Sequence, residues 1–166
     1  MTFYNQGKCM LMDPRFAASG GGTAVGEAPF ELLLDVIRVD LHTAAFFAAI
    51  DLDHSTHTDI IATGLGTGGS GVTSYPPRGK ALAGKTVVMD TTNDLAKFDA
   101  SNSTFTGIGN GTNATFEYLA LQREQDVGDT DANTLLIAYV AVSATTTNGG
   151  NITIVWDPTD GILHLT

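Results

Sequence analysis

The stretch NITIVWDPTDGILHLT, residues 151–166, is where the reading of this chain begins. Ile152, Ile154 and Trp156 fall on one face of an extended segment and Thr153 and Val155 on the other, the two-residue period of a strand. Asp157-Pro158-Thr159-Asp160-Gly161 carries turn chemistry. Pro158 presets φ at the second turn position, and Gly161 tolerates a positive φ. Ile162, Leu163 and Leu165 then resume an apolar strand that runs to the end. The expectation is a hairpin that ties the terminus into a sheet and anchors the core through Trp156, the single tryptophan. None of its side chains reads as catalytic.

Composition agrees with that opening. A chain of 166 residues fits one domain. Only 16% of the residues are charged, while Gly reaches 19 and Thr and Asn recur in runs. Long amphipathic helices need more Glu, Lys and Arg on their wet faces, so an all-β chain is expected. Eight Lys and Arg stand against 18 Asp and Glu, for a net charge of −10. Such a surface repels nucleic acid and anionic membrane alike. Cys9 is the single cysteine, so no intrachain disulfide forms. No apolar run approaches the roughly 20 residues of a membrane span. The first residues, MTFYNQGKCMLMDPR, lack a basic region followed by an apolar one, so production in the cytoplasm is expected.

Residues 1–29 differ from the rest, with a triple glycine at 20–22 and no sustained period. Phe3, Tyr4, Met10, Leu11, Met12 and Phe16 give this segment more apolar anchors than a linker needs. Two readings stand: an arm that binds another subunit through those six residues, or a loop packed on its own domain. Residues 30–166 form the regular domain. A first strand is expected around Val36, Ile37, Val39 and Leu41. Residues 44–52 are ambiguous between helix and strand, and residues 55–62 read as a short helix capped by Ser55. Residues 64–71, GLGTGGSG, read as a surface loop, since no Gly-Lys-Ser/Thr follows. Further strands fall in 78–88, 95–98, 114–122 and 134–142, separated by turns at 91–94, 107–113 and 145–150. That makes about eight short strands. The fold class expected is an all-β antiparallel sandwich or jelly-roll-like barrel, with one short helix and an N-terminal arm.

Few constellations suggest chemistry. Asp51, Asp53, His54, His57 and Asp59 are the densest set of metal-ligand types, but their spacing matches no metal motif, and capping of a short helix is the favoured reading. Asp126, Asp129 and Asp131 lack the spaced ligands and terminal Glu of a calcium loop and read as solvated. Asp90, Asp94 and Asp99 flank a turn, where Asp serves the backbone. No Gly-x-Ser-x-Gly elbow occurs, and Cys9 has no local His. Asn102, Asn110, Asn113 and Asn151 begin formal glycosylation sequons that follow from the Asn and Thr content. His42 and His164 read as ordinary strand residues. No catalytic residue, cofactor or metal is expected.

The order of these pieces resembles a family of small virion proteins of tailed bacteriophages. The resemblance runs from near Leu34 to Thr166, about four fifths of the chain. Its carriers are VIRVDLH at 36–42 and DLDHSTHTDI at 51–60. YPPRGKALAGKTV at 75–87 follows, where Arg78 takes the first of two glycine positions in the family pattern. KFDA at 97–100, EYLALQ at 117–122 and LLIAYV at 135–140 come next. The most specific piece is the ending Gly-x-x-x-Thr-Ile-x-Trp-x-x-x-Gly-Ile-Leu, which the chain matches up to Leu163 with one residue more between Trp156 and Gly161. The glycine-rich start departs from the family's short one.

The resemblance implies a non-enzymatic virion protein, most readily a capsid decoration or cement protein. Its partners would be the major capsid protein and further copies of itself, as a dimer or trimer, with neither nucleic acid nor membrane. It would be made in the host cytoplasm and sit on the capsid surface, with the arm reaching across neighbouring subunits. The alternatives are a neck or tail component and a carbohydrate-binding or adhesin module. The last would want clustered exposed aromatics, and the chain offers one Trp and four Tyr.

Overall fold

The structure is a computed structural model, and it describes residues 1–4, 33, 35–66, 69–91, 95–124 and 130–165. All its sheets are antiparallel, as the all-β expectation requires. The central sheet has the order β1-β8-β7-β2-β3, with β1 Thr2–Phe3, β8 Leu135–Thr146, β7 Thr115–Glu124, β2 Val36–His42 and β3 Lys80–Ala81. A second sheet orders β10 Leu163–Leu165, β5 Leu95–Asp99 and β4 Thr86–Asp90. A third pairs β6 Ser103–Phe105 with β9 Ile152–Ile154.

Strand β2 explains how the central sheet is used. Its β-branched Val36, Ile37 and Val39 favour extended backbone. Val39 stands opposite Leu121 of β7, and Leu41 opposite Leu119. These four face Phe98, Phe105, Trp156 and Leu163 from the smaller sheets in one buried cluster. The alternate residues lie on the second face, where Asp40 stands opposite Ala120 and His42 opposite Tyr118. That face is covered too. Tyr4, Phe46, Ile60 and Leu136 form a second apolar cluster over it, and Phe46 sits on the helix α1, Ala45–Ala49. Both faces of the sheet are therefore roofed, the first by β-strands and the second by α1 and two 3-10 turns, His57–Asp59 and Ile61–Thr63.

The terminal stretch departs from the expected hairpin. Its turn forms: the Asp157 carboxylate accepts the N–H groups of Thr159 and Asp160, and Gly161 donates to the Asp157 carbonyl with φ at +68°. Yet the flanking strands do not pair with each other. Strand β9 joins β6, while β10 joins β5. The divergence has a local cause. A Cβ at residue 161 would lie 2.7 Å from the Phe98 carbonyl oxygen, so Gly161 brings the chain hard against β5, and Ile162 donates to that same carbonyl. Trp156 reaches the core as expected, at 8% exposure.

Two helix expectations also change. The ambiguous segment 44–52 contains the α-helix, whereas 55–62 breaks into the two 3-10 turns. Backbone bonds to the start of β8 compete with a continuous helix there. The His57 N–H donates to the Thr134 carbonyl, and the Leu136 N–H to that of Ser55. Thr56, not Ser55, occupies the cap, with the Asp59 carboxylate accepting the N–H of both residues. At the N-terminus, Thr2 and Phe3 pair with Tyr139 and Ala138, and Tyr4 is fully buried. Phe3 and Tyr4 thus sit on the chain's own sheet. Met10, Leu11, Met12 and Phe16 lie outside the described residues, as do Asp94, Asp126 and Asp129.

Candidate functional site

The polar residues of the second sheet face converge on Asp40. Strand β3 covers β2 only at Arg38 and Val39, so the next stretch of edge finds other partners. Leu65 donates to the Leu41 carbonyl, and the Leu41 N–H donates to the Tyr75 hydroxyl at 2.7 Å. That hydroxyl donates in turn to Asp40 Oδ1 at 2.6 Å, while the Tyr75 ring stacks on Phe105. Asp40 Oδ2 lies 3.0 Å from His57 Nε2 and 3.2 Å from His42 Nε2. His57 Nδ1 lies 3.0 Å from Asp131 Oδ1. The Thr63 hydroxyl gives its hydrogen to the Ile60 carbonyl, so it accepts from His42 Nδ1.

This geometry sets protonation. Both ring nitrogens of His57 face carboxylate oxygens, which accept and cannot donate when ionised. The ring is held as an imidazolium. Burial works against its charge, but the bonds to Asp40 and Asp131 win and raise its pKa above the ordinary histidine value. Burial alone would raise the Asp40 pKa as well. The His42 and His57 rings overcome it and hold the carboxyl well below the usual range. Burial and the neighbouring Asp40 charge push the Tyr75 pKa well up, so its hydroxyl stays a donor.

A second node adjoins the first. Glu124, at the end of β7, binds Arg38 at 2.7 Å and Arg78 at 3.0 Å. Arg78 has φ of +58°, in the left-handed region, and its carbonyl accepts from Gln122 Nε2 at 2.8 Å. Gly79 follows at φ +70°, and a Cβ there would fall 2.1 Å from the Val39 carbonyl oxygen. The turn at 76–79 is pressed onto β2 so closely that only glycine fits. Asp40, Glu124 and Asp131 thereby face Arg38, Arg78 and the His57 imidazolium. A cavity of about 40 Å³ remains between Asp40, His57, Arg78 and Asp131. That is room for very few waters.

The metal-ligand types gathered at 51–59 do not act together. Asp51 accepts the Asp53 N–H, Asp59 serves the cap, and His57 alone turns inward. Among the described residues, no three His, Cys, Asp or Glu side chains form a metal-binding group. Asp131, expected in a solvated loop, holds His57. His42, expected as an ordinary strand residue, is fully buried in the network. Asp40, Tyr75, Arg78, Gln122 and Glu124 were not legible as a site. The available signal was the run of alternate polar residues in VIRVDLH and LALQRE, which also describes a solvated sheet face.

A different kind of feature lies on β4. This strand is an edge of its sheet, and Val87, Val88 and Met89 are 49%, 50% and 76% exposed. Val87 stands opposite Phe98 and Val88 opposite Lys97, so both faces of the strand present apolar side chains to water. Among the described residues no helix is long and apolar enough to cross a membrane. The chain matches no protein-family model, no curated protein and no solved structure.

Proposed function

We propose that the chain is a non-enzymatic structural subunit of a tailed-bacteriophage particle, a decoration or cement protein that binds the outer face of the major capsid protein lattice and further copies of itself. The observation that carries the assembly role is β4. An unpaired strand edge with three consecutive apolar residues is a template for another chain, and monomeric proteins blunt such edges with Lys, Pro or bulges. Here, among the described residues, no strand pairs with that edge and Val87, Val88 and Met89 leave it bare. An antiparallel two-fold pair centred on Val88 sets Val87 opposite Met89 of the second copy and joins two three-stranded sheets into one.

The buried network supports the non-enzymatic part. The groups that bind Asp40 are committed to it: His57 binds through both nitrogens, and the Tyr75 hydroxyl both donates and accepts. Groups paired in this way hold a fold together. The capsid assignment rests on the family resemblance of 34–166. The left-handed φ of Arg78, at a position where that pattern has glycine, is in keeping with it.

The test is the composition of the particle. Virions purified from the phage that carries this gene should contain the chain in many copies, and a cryo-electron microscopy map should place it on the outer shell. Particles that lack the chain would overturn the reading, and density at the neck or tail would overturn the capsid position.

A further inference from the structure

A groove of about 660 Å³ runs between the outer edge of the central sheet and strand β9. Phe3, Val140 and Val142 line one wall and Ile152 and Ile154 the other, with Trp156 between them. These wall residues pack on the core yet stay only partly buried. Both walls are also open strand edges. Strand β1 covers β8 only at Ala138 and Tyr139, so among the described residues the outer edge of β8 from 140 to 146 pairs with no strand. Among the described residues, strand β9 pairs with β6 alone.

An apolar small molecule could fill the space but would leave the backbone groups of both edges without partners. An extended peptide supplies apolar side chains on one face and backbone hydrogen bonds along its length. Asp157 and Asp160 also line the groove, which favours a basic residue in the occupant. This chain has 8 Lys and Arg against 18 Asp and Glu, so a second copy is a poor electrostatic match. We infer that the groove receives one extended strand of a different protein, apolar at alternate positions and carrying Lys or Arg where it passes Asp157 and Asp160. The inference uses a surface separate from β4 and stands independently of the virion reading.

The fold offers a direct test. Strand β1 runs antiparallel to β8, and Met1 lines the groove, so residues placed before Met1 enter it along β8. Met1 and Phe3 both line the groove, so the second and fourth added residues, counting back from Met1, face it as well. Two extended chains of one composition are compared with the unextended chain. One carries Lys-Val-Thr-Val-Thr before Met1 and aims its valines into the groove. The other carries Lys-Thr-Val-Thr-Val and aims them at solvent. The first should raise Tm by about 4 °C or more and slow amide exchange in residues 140–146. The second should do neither, and Val142→Lys should cancel the gain of the first. Equal effects from both extensions, or none from either, would overturn the inference. So would a dimer of the unextended chain that the first extension breaks, since the groove would then belong to a second copy.

Discussion

His57→Ala tests whether the network around Asp40 holds the fold together. The substitution removes the imidazolium between Asp40 and Asp131, each 3.0 Å from it. Asp40 is 2% exposed, so its carboxylate stays buried with one cationic partner gone. Breaking a buried pair from one side costs about 3–5 kcal/mol. That is a large share of the roughly 5–15 kcal/mol by which a domain is stable. For a chain of this size the loss corresponds to a Tm lower by about 6–20 °C. Urea unfolding followed by Trp156 fluorescence measures it, since the single tryptophan is buried. The pH dependence is more diagnostic. The folded pKa of His57 is raised, so its contribution is complete below the unfolded value of about 6.5 and is lost as pH rises through the folded value. The folded pKa of Asp40 is depressed, so its contribution is complete above the unfolded value of about 3.9 and is lost as pH falls through the folded value. The gap between wild type and variant should be widest between about pH 4 and 6.5 and shrink on the alkaline side. A penalty under about 1 kcal/mol, or one that is flat from pH 5 to 9, would refute the clamped imidazolium.

Three further outcomes follow from the same structure. Met89→Lys should reduce self-association in sedimentation velocity at unchanged Tm, because Met89 is 76% exposed in the isolated chain; unaltered association would remove β4 from the interface. Gly79→Ala should cost about 2–3 kcal/mol in urea unfolding, since the methyl group collides with the Val39 carbonyl at a φ of +70°; a loss under 0.5 kcal/mol would show that the turn at 76–79 relaxes freely. Trp156→Ala should cost about 3–5 kcal/mol by circular dichroism melting, and a cost below 1 kcal/mol would mean that the indole anchors little of the core.

What the sequence made legible was what local chemistry dictates. The period of Ile152, Ile154 and Trp156, the turn at 157–161 and the strands around Val39, Leu119 and Ile137 all emerged from propensity and spacing. Strand partners did not, because pairing is a long-range choice. Nothing within residues 151–166 says that β9 will find β6 while β10 finds β5. The site was hidden for a related reason. Arg38, Asp40 and His42 alternate with Ile37, Val39 and Leu41 as they would on a solvated sheet, and only the roof made by 55–63 and 75–79 turns that face into an interior. His57 read as a capping residue because its two partners lie 17 and 74 residues away.

That hidden face also explains how the central sheet keeps its register. A slip of β2 by one residue would carry Arg38, Asp40 and His42 to the side of Phe98, Phe105 and Trp156, away from Glu124, His57 and Thr63. It would also take Arg38 away from Glu124. Each displaced charge would cost several kcal/mol in an apolar core, far more than a shifted ladder could return. A pairing fixed in this way from the inside does not depend on what the outer edges do. The central sheet holds β2 to β7 through an unbroken ladder and β7 to β8 through a long one with two register shifts. Among the described residues, the edges at β4, β8 and β9 pair with no further strand, which leaves them to other chains.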